Sequence, residues 1–148
     1  MLEIYAEIVD IMVNDAALQS LTGYTTNDTR IYAWNPSEDV VYSTSKKAAI
    51  FYRIAFGKRP GRWSYPMQFV NGTLFFKVNS ISQMATDQIG ERLSSLFDQK
   101  TIETTNWRIG TCEQLSYNDA LPEGSPSNTQ WSKMVSFMLR NVLKRNLV

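Results

Sequence analysis

The apolar positions of the first dozen residues recur at helical spacing. Ile4, Tyr5, Ile8, Val9, Ile11 and Met12 share one stripe, and Glu3, Glu7 and Asp10 fall opposite, which predicts an amphipathic helix over Leu2 to Met12. Asn14 or Asp15 can cap a short second helix, Ala16 to Leu21, with Gly23 as its stop. A polar stretch leads to Arg30-Ile31-Tyr32-Ala33-Trp34, a short strand ended by Pro36. From Ala48 to Phe56 the period changes to two. Ile50, Tyr52, Ile54 and Phe56 share one face, and Ala49, Phe51, Arg53 and Ala55 the other.

Asn71-Gly72 lies between the apolar runs Met67 to Val70 and Leu74 to Phe76, which predicts a hairpin turn whose second arm reaches Ile81. Thr86 is read as the cap of a third helix carrying Ile89, Leu93, Leu96 and Phe97 on its inner face. Trp107 to Leu115 reads as a strand with Trp107, Ile109 and Leu115 on one face. The stretch from Tyr117 to Asn128 holds Pro122, Gly124 and Pro126 and reads as a long loop. The last segment fits two patterns. Trp131, Val135, Met138, Leu139 and Val142 suit a helix; Lys133, Val135, Phe137 and Leu139, alternating with Met134, Ser136 and Met138, suit a buried strand. Together these elements predict an α+β domain spanning 1–148: a mixed, mainly antiparallel β-sheet of four to six strands with helices on one face.

A chain of 148 residues is long enough for one substantial core. Its 15 basic and 14 acidic residues give a net charge of +1, which offers nothing to a non-specific polyanion binder. No run approaches the roughly 18 apolar residues of a bilayer span, so no membrane partner is expected. The acidic opening Met1 to Glu7 does not read as a secretory leader. A lone Cys112 excludes an internal disulfide and fits a reducing compartment, so synthesis in a cytoplasm is expected.

Histidine is absent, which removes serine–histidine, cysteine–histidine and histidine-ligated metal chemistry. Neither phosphate-binding glycine pattern occurs. Glu3, Glu7 and Asp10 are more simply a solvated helix face than a divalent-metal cluster, and Cys112 has no base to activate it. No catalytic, cofactor-binding or metal-ligating residue is expected. Two basic groups remain as candidate contact residues. Lys58, Arg59, Arg62 and Trp63 fall on a loop between strands and could meet an acidic neighbouring subunit or stack on a base. Arg140, Lys144 and Arg145 close the chain and could face a partner or a pore.

Several local sequences resemble one family. They are Asn14-Asp15-Ala16-Ala17-Leu18 through Leu21-Thr22-Gly23, followed by Arg30-Ile31-Tyr32; Phe76-Lys77-Val78-Asn79-Ser80 leading into Asp87 to Phe97; and Leu121-Pro122-Glu123 before Trp131 to Arg140. In this order and length the chain resembles the tail terminator and tail completion proteins of long-tailed bacteriophages, the family of the U-type minor tail proteins of lambda-like phages. The resemblance favours the strand for the final segment. It implies a non-enzymatic virion protein at the head-proximal end of the tail, made in the host cytoplasm. Such proteins form rings, typically hexamers, that dock on the last ring of tail tube protein, stop its growth and present a surface to head–tail connector or neck proteins. In contractile tails some also meet sheath protein, and DNA only passes through the lumen. A connector or stopper ring of the neck is the nearest alternative. A small nucleic-acid-binding module built on Lys58, Arg59, Arg62 and Trp63 is a second, from a different class, and a histidine-free enzyme a third.

Overall fold

The computed structural model describes residues 2–34, 40–56, 70–117, 119–123 and 130–144. Helix α1 spans Leu2–Val13 and buries Ile4, Ile8 and Met12, the stripe its sequence sets at every fourth position. Helix α2, Ala16–Thr22, is bounded at both ends by its sequence. The Asp15 carboxylate accepts the Leu18 N–H at 3.0 Å, and Gly23 takes the left-handed conformation (φ 79°) with its N–H on Gln19 O. Helix α3, Gln83–Phe97, buries Ile89, Leu93 and Phe97. Its cap is Ser82 rather than Thr86: the Ser82 hydroxyl accepts the Ala85 N–H at 3.3 Å. Thr86 is buried one turn in, and its hydroxyl donates back to Ser82 O at 2.9 Å.

The strands are β1 (Ile31–Ala33), β2 (Ala48–Phe56), β3 (Val70–Ser80), β4 (Ile102–Glu103), β5 (Trp107–Tyr117), β6 (Leu121–Glu123) and β7 (Gln130–Lys144). They form one mixed sheet in the order β1-β2-β3-β7-β5-β4, with β6 also on β7. Only the β1–β2 pair is parallel among these pairings. The fold is α+β, as expected; the sheet exceeds four to six strands because the two-residue β4 and three-residue β6 extend it. The final segment is a strand, and it lies at the centre, between β3 and β5.

The helices bury one sheet face in a continuous core of Ile4, Ile8, Met12, Leu18, Ile89, Leu93 and Phe97 against Ile50, Leu74, Phe76, Val135, Phe137 and Leu139, among others. Phe76, Phe97 and Phe137 meet with ring centroids 5.2–6.0 Å apart. Each such fully buried side chain stabilises by about 1.5–3 kcal/mol relative to exposure. Lys133 also projects into this layer. Its Nζ is 3.1 Å from Asp87 Oδ1 and its side chain only 1% exposed, and a Cβ on Gly90 would come within 2.9 Å of its Cδ and Cε.

Asn71-Gly72 is not a turn. Both residues belong to β3, where Gly72 pairs with Phe56 on one side and Leu139 on the other. Between Val70–Val142 and Gly72–Leu139, β3 contributes one residue and β7 two, Arg140 and Asn141. That is a β-bulge on β7, and Asn141 takes the positive φ of 56° that it requires. The Asn71 side-chain carbonyl accepts the Asn141 N–H at 3.3 Å. Gly72 leaves room for the Phe56 ring, which a Cβ would meet at 3.0 Å. Alternation on β5 flips beside this bulge, between buried Ile109 and buried Cys112, so Leu115 points outward, 49% exposed, rather than onto the Ile109 face; a second bulge follows between Gln114 and Ser116.

Candidate subunit-contact surfaces

The sheet face away from the helices carries three cross-strand rows: Phe51–Lys77–Met134, Arg53–Phe75–Ser136 and Ala55–Thr73–Met138. Arg140 belongs to the same face. It lies within β7 beside the bulge, with Nε 2.6 Å from Glu113 on β5. Both side chains are about half exposed, so the pair contributes less than about 1 kcal/mol. Lys144 ends β7 opposite Trp107. Lys58, Arg59, Arg62, Trp63 and Arg145 lie outside the described residues.

Each sheet edge is built by a short strand. At β1 the order comes from a charged cluster. Arg30 is buried at φ 60° and donates from Nε to Ala48 O at 3.0 Å. Its Nη1 reaches Asp28 and the Tyr32 hydroxyl, both at 3.3 Å, while Tyr32 Oη donates to Asp28 at 2.7 Å. The guanidinium also lies 5.4 Å from the Tyr42 ring centroid. Burial alone would raise the Asp28 carboxyl, but hydrogen bonds from Tyr32 and Arg30 outweigh it and hold the group below its ordinary value. Burial, and then the bond to Asp28, push Tyr32 up. Sequence reasoning took Arg30 only as the start of a strand; the signal was three polar groups, Asp28, Arg30 and Tyr32, within five residues. Beside this edge is an open cavity of about 340 Å³ lined by Tyr5, Ala33, Trp34, Tyr52 and Arg53. Tyr5 Oη, donating to Ile54 O at 3.0 Å, ties α1 to it.

At the far edge Glu3 fastens α1 to the β4–β5 connection, accepting from Thr104 Oγ1, Asn106 N and Asn106 Nδ2. The Asn106 side chain, then Thr104, lower its pKa. Between α2 and α3 runs an open groove of about 480 Å³, lined by Ala17, Ser20, Leu21, Gln88, Glu91, Arg92 and Ser95. At this junction Asp15 accepts from Arg92 Nε and Nη2 at 3.0 and 2.5 Å, which lowers the carboxyl. Asp28, Glu3 and Asp15 are each committed to structural partners. Cys112 is buried and its thiol is pushed up to about 12 by that burial, so it is not a nucleophile at neutral pH. Among the described residues no three acidic or thiol groups converge in a way that could hold a metal ion.

No protein-family model and no curated protein matches this sequence. Solved structures do. A chain from the "Virion of native gene transfer agent (GTA) particle" superposes with a TM-score of 0.62 at 10% identity, covering 96% of this chain and 95% of that one. A second solved chain, which carries no descriptive name, superposes with a TM-score of 0.53 at 9% identity over 96% and 93%. At such identities the likeness is one of fold, and it runs nearly end to end in both directions.

Proposed function

We propose that this chain is a structural virion protein of a phage-like particle, and that it acts as a tail terminator. The observation that carries the reading is the end-to-end likeness of fold to a chain of a gene transfer agent virion, joined to the order of sequence elements that resembles the terminator family. Closed rings need two different patches on each subunit, related by a rotation that closes. The short edge strands β1 and β4 lie on opposite sides of the sheet and suit such side-by-side contacts. Six copies would cover the growing end of the tail tube and remove the surface to which the next tube subunit adds. In this reading Lys58, Arg59, Arg62 and Trp63, with Arg140, Lys144 and Arg145, are contact residues toward siblings, tube or neck. No bond is made or broken; the function is selective adhesion.

Deleting the gene tests this by electron microscopy of the resulting particles. Overlong, polydisperse or headless tails are expected. Tails of normal length joined to heads would refute the capping role, and DNA leaking from filled heads would assign a neck stopper instead.

A further inference from the structure

Asn71 is the one asparagine in the chain that a glycine follows. Such a pair carries its own chemistry. The peptide nitrogen of the second residue can attack the side-chain amide carbon of the first, and glycine lacks the Cβ that would hinder the approach. In β3 both reacting groups are tied to β7, one on each side of the bulge. The electrophile is held by its oxygen: Asn71 Oδ1 accepts the Asn141 N–H at 3.3 Å. The nucleophile is held by the ladder. Ile50 N donates to Arg30 O and Trp34 N to Tyr52 O, so the even-numbered residues of β2 turn their peptide groups toward β1 and away from β3. Phe56 follows that alternation, and its partner Gly72 therefore turns toward Leu139. On the other side, Cys112 exchanges hydrogen bonds with Gln99 and Lys100 at 2.7 and 2.9 Å, so its partner Leu139 turns toward β3. Gly72 and Leu139 are thus a hydrogen-bonded pair. Asn71 is exposed, and water reaches it.

We infer that Asn71-Gly72 is a latent self-modification site, deamidating through a succinimide, and that its lock is the stretch of β7 at the bulge, from Leu139 to Asn141. When that stretch lifts, Gly72 N bonds to Asn71 Cγ, the Cγ–Nδ2 bond breaks, and the amide leaves as ammonia with the proton that Gly72 N gave up. Water then adds to either carbonyl of the five-membered ring and opens it. One opening gives aspartate at position 71; the other gives its isomer, in which the chain runs through the former side-chain carboxyl. One water is consumed and one ammonia released, with no oxidant or second substrate. The aspartate keeps an oxygen that accepts the Asn141 N–H. The isomer lengthens β3 by one backbone atom and loses the register of Gly72 with Leu139.

The test incubates the full chain at about pH 8 through a urea series and follows conversion at each asparagine by peptide mass spectrometry, beside amide hydrogen exchange. In full denaturant Asn71 should convert first among the asparagines, and at least about tenfold faster than in the native chain. Below the global transition, its conversion should rise together with exchange of the Gly72 and Asn141 amides. A native rate equal to the denatured one, conversion that rises only with global unfolding, or a different asparagine converting first would each overturn the inference. Asn71→Asp supplies the first product without its isomer. It should melt as the parent does at neutral pH; a lower melting temperature would overturn the claim that this product keeps the Asn141 contact.

Discussion

Replacing Gly90 by alanine should destabilise this protein, although the same change in most helix interiors does the reverse. Gly90 lies inside α3, where alanine is ordinarily favoured by about 0.5–1 kcal/mol. Here the new methyl group would stand 2.9 Å from Lys133 Cδ and Cε. A lysine tip in solvent would swing aside, but this one is 1% exposed and held by Asp87 at 3.1 Å. Overpacking of that kind costs about 1–3 kcal/mol, so the net expectation is a loss of about 1 kcal/mol, or about 2–4 °C in Tm for a domain of this size. The decisive assay is a double-mutant cycle by urea and thermal denaturation with Gly90→Ala, Lys133→Ala and the pair. With Lys133 truncated, the obstruction disappears and Gly90→Ala should become stabilising by about 0.5–1 kcal/mol, a coupling of about 2 kcal/mol. A stabilising Gly90→Ala in the parent, or the same sign in both backgrounds, would refute the reasoning.

Other expectations follow from single contacts. Asn141→Val, forcing a β-branched residue to a positive φ, should cost about 1–2 kcal/mol by chemical denaturation, and Asn141→Gly should stay within about 0.5 kcal/mol of the parent. Asp15 has its pKa lowered by Arg92 in the folded state; its stabilisation is therefore present above the unfolded carboxylate pKa of about 4 and is lost as pH falls through the folded value. The stability gap between parent and Asp15→Asn should be full at pH 7 and shrink on acidification below about pH 4, measured as denaturation midpoints against pH. Cys112 should resist a thiol-specific reagent at pH 8 in the native protein and react at once in denaturant; prompt native reaction would contradict its burial.

The helices were legible because their signals are local. Ile4, Ile8 and Met12 repeat every four residues, and Asp15 and Gly23 bracket α2 through their own backbone chemistry. Misreadings trace to bulges, whose cause lies far away in the chain. Asn-Gly has the same local preferences in a hairpin turn and beside a bulge; what decides is Asn141, 70 residues on. The same bulge explains why the last strand could pass for a helix. It flips side-chain alternation between Leu139 and Val142, so buried Val135, Leu139 and Val142 fall at the spacing of a helical stripe. Leu115 was placed on the wrong face because β5 flips its alternation between Ile109 and Cys112, opposite the β7 bulge, and nothing in its own neighbours announces that. Thr86 is as good a capping residue as Ser82, and the choice depends on where β3 ends. At the surfaces, Arg140 was legible as a cation but not as a partner of Glu113, which is 27 residues away. The loop carrying Lys58, Arg59, Arg62 and Trp63 lies outside the described residues.

The bulge in β7 also partitions the sheet in time. An unbroken 15-residue strand flanked on both sides would shield its amides as one block, opening only when the whole sheet opens. Here the Asn141 amide rests on a side-chain carbonyl in an exposed position, and Gly110 on the neighbouring strand lies against the same kink. In deuterated water Asn141 should therefore take up label first and divide a slow block before it from a faster block after it. Breathing beyond Asn141 would then leave the phenylalanine cluster closed, insulating the core from whatever strain the rim experiences.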